Sequence, residues 1–458
     1  HEVPSVGADM STTAATMPYV LSRRGSMTGA GYGFIAVLVL VVLEGAIRKW
    51  AFGSITLPLI LLRDAIAAYV IVLALVSGAL RRQKGVTLLL VVWSCVVVAW
   101  GLLQVVGSEN SPTVLLIGLR FWLLYIWFAV AATAAMNEAD YRAAIMVAIW
   151  TLILMAPLAV LQYLSPPGAR INNQLEGDAE GVFQVVEGVV RTTGTFSFTL
   201  GYATYLALVA PLALAAVGAR KRTQMQVFFG LLALGCFVIA SVVSGSRTAL
   251  IYSGIMLGVF FVGRFWLARG RAKGQALVAV IFGVVLVAVL LFAFSGAVET
   301  ASTRFQQASE AESFWGRILT IFIGESYVYN KVTWLGFGLG AGSNLAGFVR
   351  TGKNVSDFAL AEVEAGRILL EGGLIGYLFT ALKVVVVAFG VTKSLRLAYR
   401  TRSIYPVLLW LTVSLALLTW PAIGQLTAHG LLGLMLAFGL LVFKFPDFEL
   451  FPARGSSP

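Results

Sequence analysis

Hydrophobic and polar positions alternate along this chain on the scale of whole segments. Apolar runs near 32–48, 58–80, 86–106, 113–135, 141–164, 198–218, 226–243, 248–268, 275–297, 366–392, 405–423 and 427–445 are separated by polar stretches. A helix needs about 20 apolar residues to cross a bilayer. The runs therefore predict about twelve transmembrane helices and an all-α polytopic membrane protein. Two connections are long, about 165–197 and 298–365. The second, before the tenth span, contains Ser313-Phe-Trp-Gly-Arg-Ile-Leu-Thr-Ile-Phe-Ile-Gly324, whose bulky residues predict a short helix on the membrane surface. Residues 1–30 are small and polar and predict a disordered segment without a cleaved signal peptide, 31–445 one transmembrane domain, and 446–458 a tail.

Composition sharpens the picture. With 59% of its 458 residues hydrophobic and 12% charged, the chain is excluded from the soluble globular enzymes. Cys95 and Cys236 lie inside apolar runs, where neither a disulfide nor a metal site is expected. The only histidines are His1 and His429, the latter inside the last apolar run, so a mechanism almost without imidazole is expected. The net charge of +12 is carried by clusters in alternate connections: Arg81, Arg82 and Lys84; Arg220, Lys221 and Arg222; Arg264, Arg269, Arg271 and Lys273; Lys393, Arg396, Arg400 and Arg402. This is the pattern of the positive-inside rule rather than of nucleic-acid binding. It predicts cytoplasmic clusters and termini, with both long connections, and the chemistry, on the opposite side.

Several cations are not needed for topology: Arg48, Lys49, Arg63, Arg120, Arg191, Arg247, Arg317 and Arg367. Each has a structural reading as an interfacial anchor or ion-pair partner beside a functional one as an anion ligand. Arg120 lies about two turns inside its span and needs a partner or an anionic ligand. Glu44, which shares a helix face with Arg48, is one such partner. Arg247, in Ser244-Gly-Ser-Arg-Thr248, stands at a tight turn where the next helix offers free N–H groups, an arrangement suited to phosphate. Arg191 opens Arg191-Thr-Thr-Gly-Thr-Phe-Ser-Phe-Thr199, a hydroxyl-rich approach to the sixth helix that offers an N-cap. Glu362, Glu364, Arg367 and Glu371 precede or enter the tenth helix. Spacings of three and four residues make a salt-bridged helix start one reading, and a general base among the carboxylates the other.

Four pieces, in order, resemble the O-antigen ligase and Wzy-type polysaccharide polymerase superfamily of integral-membrane, GT-C-like glycosyltransferases. They are Arg191-Thr-Thr-Gly-Thr-Phe196 ahead of Tyr202 and Tyr205; Ser244-Gly-Ser-Arg-Thr248; Gly316-Arg-Ile-Leu319 followed by Trp334-Leu-Gly-Phe-Gly-Leu-Gly340; and Leu370-Glu-Gly-Gly-Leu-Ile-Gly376. The resemblance covers roughly residues 30–445 and extends to the topology. It implies a bacterial inner-membrane enzyme, working at the periplasmic face on an undecaprenyl-diphosphate-linked glycan donor and acceptor. It also implies metal-independent inverting transfer without a cofactor. Arg247 and Arg317 match the family's arginines. Where ligases carry a His-Asn pair this chain reads Ala361-Glu-Val-Glu364, a departure that favours a polymerase of exopolysaccharide or O-antigen-like units. Glu44-Gly-Ala-Ile-Arg-Lys-Trp50 with Arg63-Asp64 is similar to a subset of polysaccharide polymerases.

On this reading Arg247 and Arg317, helped by Arg191 and Arg120, hold the diphosphate. Glu364 or Glu362 takes the acceptor proton, Arg367 positions it, and Arg48, Lys49 and Arg63 add substrate contacts. Membrane lipids and a chain-length regulator or export machinery are the expected partners. The rivals are a ligase with another acceptor and a lipid-linked glycan flippase or secondary transporter, which would carry its charges near the bilayer midplane.

Overall fold

The computed structural model describes the chain apart from residues 1–25, 52–54, 108–109, 175–183, 187–188, 220–222, 294, 297–313, 352–360, 362 and 453–458. The first four apolar runs form α1 (Gly29–Ala46), α2 (Thr56–Val76), α3 (Lys84–Val106) and the pair α4 (Pro112–Leu119) and α5 (Tyr125–Ala135). Then come α6 (Glu138–Leu164), a small antiparallel ribbon of β1 (Gln184–Val186) and β2 (Val189–Val190), α7 (Thr199–Gly218), α8 (Gln224–Val243), α9 (Arg247–Leu267) and α10 (Arg271–Ala293). The second long connection carries α11 (Phe314–Ile323), α12 (Ser326–Lys331), α13 (Asn344–Thr351) and α14 (Glu364–Gly372). The chain finishes with α15 (Leu374–Thr401), α16 (Tyr405–Thr419) and α17 (Leu426–Lys444).

Ten helices of the described residues are long and apolar enough to cross a membrane, and shorter apolar helices, Val280–Ala293 and Tyr405–Thr419, occupy the other two expected positions. The protein is thus a polytopic helical membrane protein. The short helix expected in the second long connection forms as α11. The tenth apolar run differs from expectation. It was expected to span from 366, but Gly373, with φ of +55°, breaks it into α14 and α15. Only glycine adopts that backbone without strain, so the chain turns there and the apolar helix starts at Leu374.

The helix ends alternate between two levels. At the level of the basic clusters, the Asn137 and Asp140 capping box closes the start of α6, and Asp140 also accepts from Thr28 N at 2.8 Å. Lys444 Nζ donates to the carbonyls of Thr133, Ala134 and Met136 at 2.7–2.9 Å, completing the end of α5. Part of the expected tail belongs to the fold, because Phe448 packs on Tyr141 at 4.7 Å and Glu449 O accepts from Arg142. α7 and α17 are the most enclosed spanning helices. α17 packs against α1, α5, α7 and α16, and its start carries the site described next.

Candidate functional site

The site begins with wide helical turns. α1 ends in a π turn over Ile47–Ala51, and a second π turn, Arg120–Leu124, links α4 to α5. An i to i+5 turn brings residues five apart onto one side, and such pairs are used here. Arg120 Nε and Nη2 donate to Asp64 on α2, the latter at 3.0 Å, and Tyr125 OH donates to Asp64 Oδ1 at 3.2 Å. The adjacent Arg63 is fully buried and donates from Nη1 to Glu44 Oε2 of α1 at 2.8 Å, with its Nε 3.7 Å from Asp64. Glu44 also meets Arg48 at 3.5 Å, across one turn.

His429, from the second turn of α17, closes this layer. It is 2% exposed, edge-on to Phe121 and Tyr125 at 5.2 and 4.9 Å. Its ring nitrogens face the carbonyls of Arg120 and Ala422 without reaching hydrogen-bond geometry. Lys49 donates to Thr193 Oγ1 at 2.9 Å and Gly194 O at 2.8 Å, fastening the 191–198 segment to α1. Gln162 holds the same segment by accepting from Thr193 N and Gly194 N at 3.1 and 2.7 Å.

Arg63 and Arg120 share Asp64, and Glu44 lies between Arg63 and Arg48. Arg63 Nε and Nη2 and Arg120 Nη1 are buried without a hydrogen-bond partner among the described residues. Each such nitrogen costs about 1–3 kcal/mol. Arg120 and Asp64, at 15% and 13% side-chain exposure, form the accessible edge of the layer.

A second layer surrounds α14, which is buried throughout. Glu364 accepts from Ile423 N at 3.1 Å and lies 3.6 Å from Lys383 Nζ. Burial pushes its carboxyl up, against the pull of Lys383 and Arg367. Arg367 donates from Nε and Nη2 to Ala361 O at 3.3 and 3.0 Å and lies flat against Gly424. Residues 420–425, between α16 and α17, thereby join the layers, since Ala422 faces His429 while Ile423 and Gly424 meet α14.

Glu371 has a different task. Its Oε2 accepts from Gly340 N at 2.9 Å and Trp122 Nε1 at 3.1 Å, and its Oε1 from Gly342 N at 2.9 Å. Burial pushes this carboxyl up to about 7, although all three donors and Arg367 oppose the shift. Gln104 adds bonds to Leu335 O, Glu371 O and Leu339 N at 2.7–2.8 Å. Gly340, with φ of +86°, lets the loop press directly on the backbone of Gly118. Two of the sequence pieces, Trp334–Gly340 and Leu370–Gly376, therefore meet in space.

Several expectations are corrected. Arg120 pairs with Asp64, and Glu44 pairs with Arg63 and Arg48, because α2 rather than α1 faces the start of the π turn. The 191–199 hydroxyls do not cap α7: its N-cap is Phe198, without a side-chain cap bond, while Thr193 faces Lys49 and Thr195 Oγ1 donates to Val42 O. The carboxylate of Glu371 binds loop N–H groups instead of simply bracing the start of α14. His429, set aside in the sequence, stands at the centre of the first layer.

Arg191 is half-buried at the head of its segment. Arg247 is exposed as the first residue of α9, after a turn where Ser246 caps Ala249 N, and no ion pair ties it to either layer among the described residues. Arg317 lies on α11 with its side chain outside the described residues, as is all of Glu362. Asp64, Tyr125, His429 and Lys383 carry roles the sequence reading did not give them. Lys383, nine residues into an apolar helix, was the legible signal, because an intramembrane charge demands a partner.

No family model matches the chain, and no curated protein matches it.

Proposed function

We propose that this protein is a bacterial inner-membrane glycosyltransferase with twelve spans and cytoplasmic termini. In this reading it polymerises undecaprenyl-diphosphate-linked oligosaccharide units at the periplasmic face. The observation that carries the reading is the pair of buried guanidinium groups in the first layer, Arg63 and Arg120, with three nitrogens lacking acceptors among the described residues. A diphosphate supplies such acceptors in a form that arginine recognises.

The chemistry asks little more of the protein. An acceptor hydroxyl attacks the anomeric carbon, the bond from that carbon to the diphosphate breaks, and inverted configuration results. Arg63 and Arg120 stabilise charge on the departing diphosphate, with Arg247, Arg191 and Arg317 guiding the donor from the same end of the bundle. Glu364, its carboxyl raised by burial, accepts the hydroxyl proton once its contact with Lys383 opens, and Arg367 holds the adjoining backbone. Glu362 is the alternative base, and the ring nitrogens of His429 offer a sugar hydroxyl a hydrogen bond.

The test is a reconstituted assay with purified protein and polyprenyl-diphosphate-linked repeat units, sizing the products. A ladder of longer lipid-linked glycans with wild type, abolished by Arg120→Ala and Glu364→Ala, is expected. Transfer to a different acceptor identifies the ligase. Movement of unextended substrate across the vesicle bilayer identifies the flippase and refutes the transferase.

A further inference from the structure

A cavity among the described residues lies at the opposite end of the bundle from the two layers. It has a volume of about 780 Å³ and sits where α7 and α9 end, α16 begins and the 445–451 segment folds back. Its wall is largely apolar, formed by residues such as Leu214, Phe260 and Phe451. Three arginines, Arg264, Arg269 and Arg402, also line it, against two carboxylates, Asp447 and Glu449.

Arg269 and Arg402 are exposed at the rim of the cavity, and Arg264 lies deeper. Arg264 is half-buried, lies over the Phe260 ring at 5.9 Å and donates to Val217 O at 3.4 Å, and forms no ion pair among the described residues. Arg402 occupies the C-terminal cap of α15 with φ of +56°, the sole positive-φ residue other than glycine among the described residues. Glycine is the usual occupant of such a cap, since it avoids the steric penalty. An arginine there is useful for what its side chain reaches.

We propose that this cavity binds an anionic phospholipid, its phosphate held by Arg264, Arg269 and Arg402 and an acyl chain lying along the apolar wall. Among the described residues the wall carries three arginines and two carboxylates, a balance that a single phosphate diester neutralises. The apolar volume exceeds what a free phosphate would fill, and its position at the ends of spanning helices gives a bilayer lipid direct entry.

The test uses the full-length chain, delipidated in detergent and titrated with short-chain phosphatidylglycerol, read by native mass spectrometry. Wild type is expected to bind, and Arg402→Gly to bind about tenfold more weakly, the loss of one charge-assisted hydrogen bond. The lipid-free Arg402→Gly protein is expected to melt at or above the wild-type temperature, because glycine relieves the left-handed backbone. A purely structural arginine would give the opposite order of stability and no loss of lipid. Equal affinity in the Arg264→Gln/Arg402→Gly double variant overturns the proposal. So does equal binding of diacylglycerol with the same chains, and so does inorganic phosphate binding as tightly as the lipid.

Discussion

Removing the carboxylate of Glu371 tests whether the glycine loop is held by it. Glu371→Ala leaves Gly340 N, Gly342 N and Trp122 Nε1 without their acceptor in a site closed to solvent. An orphaned buried donor costs about 1–3 kcal/mol. With some relief from water entering the vacated space, the sum is about 3–5 kcal/mol. Glu371→Gln is the informative control. Gly340 N and Trp122 Nε1 share one oxygen, so an amide oxygen placed there serves both and only Gly342 N loses its acceptor. The expected loss is then about 1–2 kcal/mol. Reversible unfolding in mixed micelles, followed by tryptophan fluorescence, measures both. Equal losses for the two variants, or none for alanine, would refute the clamp.

The same carboxyl sets a pH dependence. Its folded-state pKa is raised from 4.5 to about 7, so the folded protein retains a proton that the unfolded chain releases. Stability is therefore greatest below the ordinary carboxyl range and falls between about pH 4.5 and 7, by at most about 1.4 kcal/mol per unit, then levels off. Glu371→Gln should remove that slope in a pH series. Asp64→Asn strips a largely buried guanidinium of its counter-charge and should destabilise by about 3 kcal/mol; combining it with Arg120→Met should recover much of this in the same micelle assay. Arg247→Ala touches an exposed side chain with no ion pair among the described residues and should shift stability by less than about 0.5 kcal/mol. It should nonetheless slow glycan extension about 100-fold if Arg247 grips the diphosphate; unchanged turnover removes it from the site.

Most of the fold was legible because apolar runs of membrane length leave a chain few alternatives. Each of the twelve runs coincides with a helix, and the error at Gly373 arose because hydropathy does not see a left-handed glycine inside an apolar stretch. The site was legible in its cations and illegible in their partners. Arg63 and Arg120 drew attention as charges out of place. Pairing them with Glu44 and Asp64 depends on which helices adjoin, and periodicity along one helix carries no such information. The π turns were equally hidden, since they come from packing and have no composition of their own. His429 gave no signal beyond its place in an apolar run, and only the arrival of α5 and α2 beside it gives it charged company.

The pairing of Glu44 with Arg63 also bears on how the chain enters the bilayer. Arg63 and Asp64 sit in α2, which is made directly after α1, whereas His429 belongs to α17, made long afterwards. Insertion of α2 alone would carry a guanidinium into hydrocarbon, a transfer that costs roughly 2.5–3.5 kcal/mol at the centre of a span. Entry of α1 and α2 together, as a hairpin, brings Glu44 with it. The nascent protein is then left with an incompletely walled polar face until α17 is made, which makes biogenesis of the N-terminal hairpin the step most sensitive to Glu44. Glu44→Leu is accordingly expected to appear first as misinsertion of α2, detectable by topology mapping, before any question of turnover arises.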